Sequence, residues 1–203
     1  MLKITHLRKS FYKNQCILKD INLNISRGDV IYIKGINGSG KTTLFKIICD
    51  ILEKDGGEID KNKNVKIGAL IENPSFIENE TILFNLYFLA SINNNYNYEA
   101  IKKLTDLFSL DIHNKSKMKT YSLGMRQKVA IIQAVMENQN LLIFDEPVRG
   151  LDKKSIQIFI DLINALCQQG KAIIIASHDE IHNINYTHIY TLKDGKLYAE
   201  SND

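Results

Sequence analysis

Apolar and polar residues alternate along Leu2 to Thr5 and again along Ile17 to Ile25, the period-two spacing of half-buried strands. Val30 to Ile33 is apolar at every position and reads as a buried strand running directly into a glycine-rich loop. The period then lengthens, and Thr42 to Leu52 predicts a helix in a unit closed by Gly56-Gly57. Val65 to Ile71 predicts a further strand. Glu80 to Ile92 has helical length and large apolar residues, Asn93-Asn94-Asn95 breaks it, and a second helix is expected around Glu99 to Leu110. Ser122 opens a helix through about Met136, Leu141 to Phe144 is a fully apolar strand, and Lys153 to Gln169 is an amphipathic helix closed by Gly170. Ala172 to Ala176 is one more buried strand, with Ser177-His178 at its end, and Asp194-Gly195 is a hairpin turn between Ile189 to Leu192 and Leu197-Tyr198. Strands alternating with helices predict an α/β fold, with a helical lobe at approximately 73–136.

Composition narrows this without redirecting it. At 203 residues, 44% hydrophobic and 24% charged, the chain fits one globular domain, 1–203, with a sizeable core. A net charge of +3, with Lys and Arg scattered, gives no sign of a nucleic-acid partner. Cys16, Cys49 and Cys167 are odd in number and lack CxxC spacing, which predicts buried free thiols in a reducing cytoplasm. The opening MLKITHLRKSF has no uninterrupted apolar core like a signal peptide's, and no apolar run approaches the roughly 20 residues that span a bilayer. Work at a membrane therefore calls for a separate partner to cross it.

Gly35-Ile36-Asn37-Gly38-Ser39-Gly40-Lys41-Thr42 matches the phosphate-binding loop GxxxxGK[ST] and sits where that motif belongs, between a buried strand and a helix, defining a P-loop NTPase core. Backbone N–H groups of such a loop converge on phosphate oxygens, and the helix N-terminus adds positive potential. Gly35, Asn37, Gly38, Ser39, Gly40, Lys41, Thr42 and Thr43 are the candidate triphosphate-binding residues, with Lys41 reaching the outer phosphates and the Thr42 hydroxyl taking a magnesium position. The strand Leu141 to Phe144 delivers two carboxylates: Asp145 as a second magnesium ligand and Glu146 to orient or deprotonate an attacking water. His178 and His182, four apart, have the spacing of a metal pair but lack a third ligand.

With these motifs the chain resembles the ATP-binding cassette (ABC) ATPases over nearly its whole length, which implies an α/β P-loop NTPase core with a mixed sheet, an N-terminal antiparallel β subdomain and a helical subdomain. The family's signature LSGGQ falls on Tyr121-Ser122-Leu123-Gly124-Met125, its D-loop on Gly150-Leu151-Asp152 and its switch histidine on His178. The resemblance implies a head-to-tail pair, homodimer or paired ATPase subunits, in which Ser122, Leu123, Gly124 and Met125 of one subunit cap ATP held by the other, with Asp152 alongside and His178 on the γ-phosphate. It further implies an aromatic platform for adenine, here Phe11 or Tyr12 with Phe11 favoured, and Mg2+ with ATP as cofactors.

Two departures stand out. The glutamine that the family places after the Ile71 strand, touching the metal and the lytic water, is Glu72 here, so Glu72 is counted with the catalytic and metal residues. A carboxylate there crowds Asp145 and Glu146, which predicts steeper magnesium dependence or one partly protonated acid. Leu123 and Met125 replace a glycine and a glutamine, weakening the cap's hydrogen bonding. A YSxGM signature with Glu72 is similar to the ATPase subunits of bacitracin- and lantibiotic-type exporters. That implies integral membrane permease subunits as partners, a cytoplasmic position peripheral on the inner face of the cell membrane, and contact through Pro74-Ser75-Phe76-Ile77 and the helix Ile82 to Leu89. The rival is a soluble cassette of a cytosolic assembly machine, such as that for iron-sulfur clusters. The DNA-repair branch is disfavoured because the roughly 80 residues between Thr42 and Ser122 leave no room for coiled-coil heptads.

Overall fold

The computed structural model describes residues 1–11, 15–72 and 75–200. Strands β1 (Leu2–Phe11) and β2 (Gln15–Ile25) form an antiparallel pair, with Leu2 opposite Ile25 and Ile4 opposite Leu23. β3 (Val30–Lys34) leads through the glycine loop into helix α1 (Lys41–Ile48). β4 (Gly56–Lys61) lies antiparallel on the outer edge of β1, and β5 (Ile67–Leu70) precedes helices α2 (Ile82–Ile92) and α3 (Tyr98–Leu107). After a 3-10 turn at Met118–Thr120 come α4 (Leu123–Val135), β6 (Leu141–Asp145), α5 (Lys153–Gln168), β7 (Ala172–Ala176) and the hairpin β8 (His188–Lys193) and β9 (Lys196–Ala199). The sheet order is β4-β1-β2-β9-β8-β3-β7-β6-β5. β8, β3, β7, β6 and β5 run parallel, so the expected mixed sheet with an antiparallel N-terminal part is present.

The reason β7, and β6 as far as Phe144, are apolar at every position is that both faces are covered. Leu141 and Ile143 of β6 join Leu44, Phe45 and Ile48 of α1 and the β1–β2 side chains in one core. Leu142 and Phe144 point the other way, into a second core with Val129 and Ile132 of α4, Phe159 and Ile163 of α5, and Ile82, Leu86, Ile101 and Phe108 of the helical lobe. That second core is continuous from the sheet into α2 and α3, with Phe159 meeting Phe144 edge-on at 5.3 Å between centroids. Because β3 and β6 are parallel strands of one sheet, Gly35 and Asp145 emerge at the same edge, the carboxyl ends where α/β folds bind ligands.

Three expectations are corrected. Gly56-Gly57 begins a strand instead of ending a unit: at Gly57 (φ 82°) a Cβ would lie 2.3 Å from the His6 carbonyl oxygen, so the glycine is what lets β4 approach β1. α1 stops at Ile48, with Asp50 left-handed (φ 58°) and the Ile51 amide returning to Lys46, so Cys49 to Leu52 are not helical. Cys16 is exposed, while Cys49 and Cys167 are half-buried and meet the buried-thiol expectation in part, burial pushing the Cys49 pKa up to about 12.

Candidate active site

A cleft of about 690 Å³ lies at the carboxyl ends of β3 and β6. It is lined by Phe11, Asn37 through Thr43, Glu72, Asp145 and Glu146, with Ile17, Gln127 and Arg149. The structure thus brings together residues separated by more than a hundred positions that the motifs placed in one site. Gly40, at φ 107°, has Ile17 and Leu18 of β2 within 2.9 Å of where a Cβ would stand, so only glycine fits that bend. The Lys41 ammonium donates to the carbonyls of Gly35 (2.6 Å) and Ile36 (3.3 Å), drawing the loop around itself. The Thr42 hydroxyl donates to Asp145 Oδ2 at 2.5 Å, joining the start of α1 to the end of β6.

Burial holds the Asp145 carboxyl above its usual range; the Thr42 hydrogen bond opposes that, the Glu146 and Glu72 charges reinforce it and Lys41 counters it. A threonine hydroxyl and a carboxylate side by side are hard oxygen donors of the kind Mg2+ takes while keeping other positions for water and phosphate. Among the described residues no three His, Cys, Asp or Glu side chains form an all-protein metal set. Ser39 Oγ, buried in the loop, has no hydrogen-bond partner among the described residues, as suits a hydroxyl facing a phosphate site.

Glu146 is in the left-handed region (φ 51°), a conformation that costs a non-glycine residue about 1–2 kcal/mol. Its backbone N–H donates to the Ala176 carbonyl at 2.8 Å, while the buried Gln127 amide donates to the carbonyls of Glu146 (3.0 Å) and Pro147 (2.9 Å). Glu72 is also left-handed (φ 58°) and exposed, and its carboxylate pairs with Lys46 of α1 at 2.8 Å. The expected crowding of acids is therefore partly answered by a cation from α1.

Other candidates sit outside this cleft. His178 is exposed and lines a neighbouring pocket with Lys34, Gly35, Ile36, Thr191, Leu192 and Lys193, because the Ser177 hydroxyl folds back to donate to the Asp179 carbonyl and turns the chain. It stands beside Gly35 and Ile36 of the phosphate loop and is not among the residues lining the cleft that holds Glu146. Ser122 caps α4, its hydroxyl accepting from the Met125 amide at 3.3 Å, with Leu123 exposed beside it. Gly124 has an intrachain reason to be glycine: a Cβ there would stand 2.5 Å from the Gly150 carbonyl oxygen. Asp152 caps α5, accepting from the Ser155 amide at 2.8 Å, which with the Ser155 hydroxyl and Lys128 lowers its pKa. Tyr12, the alternative adenine platform, and Pro74 lie outside the described residues. Phe11 reaches the cleft, with Lys9 Nζ 5.6 Å from its ring centroid. The expected permease contact divides: Phe76, Ile82 and Leu86 are buried, while Ile77, Phe84, Tyr87 and Phe88 are exposed.

Gln127 and Arg149 line the cleft without having been singled out from the sequence. A glutamine within a helix normally reads as solvent-facing; the one available signal was that residue 127 shares a helical face with apolar residues Ile131 and Ala134.

A P-loop cleft carrying an Asp-Glu strand end, with a capped helix beginning Ser-x-Gly packed on the turn beyond it, defines an ABC-type ATPase cassette. The family model described as ABC transporter matches residues 18–149. The bacitracin transport ATP-binding protein BcrA of Bacillus licheniformis is 32% identical over 98% of this chain and 69% of its own length. The lantibiotic transport ATP-binding protein SrtF of Streptococcus pyogenes is 34% identical over 88% of the chain and 80% of its own. The cytochrome c biogenesis ATP-binding export protein CcmA of Reclinomonas americana is 35% identical over 83% and 81%. The solved dimeric structure of MJ0796, a bacterial ABC transporter cassette, superposes with a TM-score of 0.87 at 25% identity, covering 99% of this chain and 98% of that one. The chain belongs to the ABC transporter family, as its ATP-binding, ATP-hydrolysing subunit. No helix among the described residues is long and apolar enough to cross a membrane.

Proposed function

We propose that the chain powers export of antimicrobial peptides through separate integral membrane subunits, working as a head-to-tail pair on the inner face of the cell membrane. The observation that carries the enzymatic part is the cleft that gathers Asn37 through Thr43 with Asp145 and Glu146. In this reading Phe11 stacks on adenine, the loop amides and Lys41 hold the phosphates, and Thr42 and Asp145 hold magnesium, which offsets phosphate charge when bound. Glu146 orients a water for attack on the γ-phosphorus and takes its proton as the bond to the bridging oxygen breaks, giving ADP and phosphate. Glu72 tunes the charge beside that water. Ser122 through Met125 and Asp152 serve the paired site, since none of them lines the chain's own cleft, while His178, beside Gly35 and Ile36 of the phosphate loop, hydrogen-bonds the γ-phosphate held there.

Peptide export is supported by the likeness to BcrA and SrtF together with Glu72 and the Leu123 and Met125 replacements. The likeness to CcmA favours a second cargo reading, an export step of cofactor or cytochrome assembly. Deleting the chain from its host and scoring growth on bacitracin-like and lanthionine peptides separates them. Peptide export predicts raised sensitivity, restored by wild type and not by Glu146→Gln. Unchanged sensitivity with a loss of c-type cytochromes would overturn peptide export in favour of the second reading.

A further inference from the structure

Helix α4 begins at the signature and ends far from the cleft, yet its first two turns meet the turn beyond β6 at three points. Gly124 abuts the Gly150 carbonyl so closely that no Cβ fits between them. Gln127, 6% exposed, donates to the carbonyls of Glu146 and Pro147. Lys128 Nζ lies 3.5 Å from Asp152 Oδ2. The same backbone is pinned from its other side by the Glu146 amide on Ala176 of β7. Glu146 stands between these anchors in a left-handed conformation, and the aim of its carboxylate follows from where they hold it.

We propose that Gln127 is a positioning residue for Glu146, and that through it the capping of a partner's ATP by Ser122 is felt in the chain's own cleft. This rests on the reading that Glu146 is the base and that Ser122 engages the partner's nucleotide. Ser122 and Gln127 lie little more than one turn apart on a continuous 13-residue helix, so a displacement of its capped end carries Gln127 with it. Two hydrogen bonds from one amide convert that displacement into a shift of the Glu146 and Pro147 carbonyls. A glutamine suits the task because its NH2 supplies two donors with no charge to desolvate beside buried carbonyls.

The competing account is a buried amide that only stabilises the turn. Gln127→Met keeps the volume and removes the donors. At about tenfold per hydrogen bond lost, kcat should fall roughly 10–100-fold with ATP affinity near wild type. A purely structural role would lower melting temperature and leave kcat per folded chain unchanged, which overturns the proposal. The decisive comparison is a double-mutant cycle. Ser122→Ala should lower kcat in wild type and add little further loss in Gln127→Met; multiplicative losses refute the link. If Ser122→Ala leaves turnover intact, or Glu146→Gln does, the underlying reading fails and this proposal with it. Those single variants therefore tell a failure of the reading from a failure of the link. Should Gln127→Met not fold, hydrogen exchange carries the test. The Arg149 amide, bonded to the Glu146 carbonyl, should slow on adding ATP to wild type and not to Ser122→Ala, and equal slowing in both refutes the link.

Discussion

Gly124→Ala separates two reasons for a glycine in the signature. One lies in the partner's nucleotide; the other lies within the chain, where the new Cβ would stand 2.5 Å from the Gly150 carbonyl oxygen. An ordinary carbon–oxygen contact needs nearly an ångström more, and the obstacle is backbone, which no rotamer change relieves. Gly150 is itself left-handed (φ 75°), so the turn between Glu146 and Asp152 has little freedom to retreat. Overpacking of this kind costs about 1–3 kcal/mol. For a chain of this size that corresponds to a fall in melting temperature of about 2–12 °C. The assay is thermal melting without nucleotide, where a partner's ATP plays no part, with Leu123→Ala as the comparison because Leu123 is 52% exposed. Leu123→Ala should melt within about 1–2 °C of wild type, as an exposed truncation usually does. If Gly124→Ala also melts unchanged, the intrachain account of this glycine is wrong.

Removing the charge at Glu72 frees Lys46 and relieves Asp145 of a neighbouring carboxylate, so Glu72→Gln should shift the magnesium concentration for half-maximal hydrolysis; an unchanged magnesium titration makes Glu72 a surface residue only. Phe144→Ala empties a fully buried site against Phe159 and should cost about 3–5 kcal/mol in denaturant unfolding. On the acid side, Glu78 is held below its usual pKa by the Arg126 hydrogen bond, Asp55 by Lys9 and the Ser10 amide, and Asp152 by Ser155. Depressed carboxylates contribute stability above an unfolded pKa near 4 and lose it as pH falls through their folded values. The melting difference between Glu78→Gln and wild type should therefore narrow below about pH 4. Asp145 has the opposite sign: its pKa is raised, so its contribution is most favourable below the unfolded value and declines as pH rises toward the folded one.

What could be read from the chain was whatever is encoded locally. Buried parallel strands are apolar at every position, as Leu141 to Phe144 and Ala172 to Ala176 are, and the phosphate loop is contiguous, so the core sheet and half of the cleft were legible. The rest depends on neighbours distant in sequence. Gly57 reads as a breaker until His6 is seen behind it, and Glu72 reads as an uncompensated acid until Lys46, 26 positions away, is seen beside it. Gln127 reads as a surface residue until two carbonyls are found at its amide. His178 does stand at the end of β7, but the direction it faces is set by the Ser177–Asp179 turn, which the sequence does not show.

The central claim is that Glu146, held in its strained turn at the end of β6, takes the proton from the water that attacks ATP. Steady-state hydrolysis and ATP affinity, measured side by side for wild type and Glu146→Gln, test it most directly. The account predicts affinity within about threefold and turnover reduced by about a hundredfold or more, the scale of a lost general base. Undiminished turnover in a folded, ATP-binding Glu146→Gln chain would contradict it.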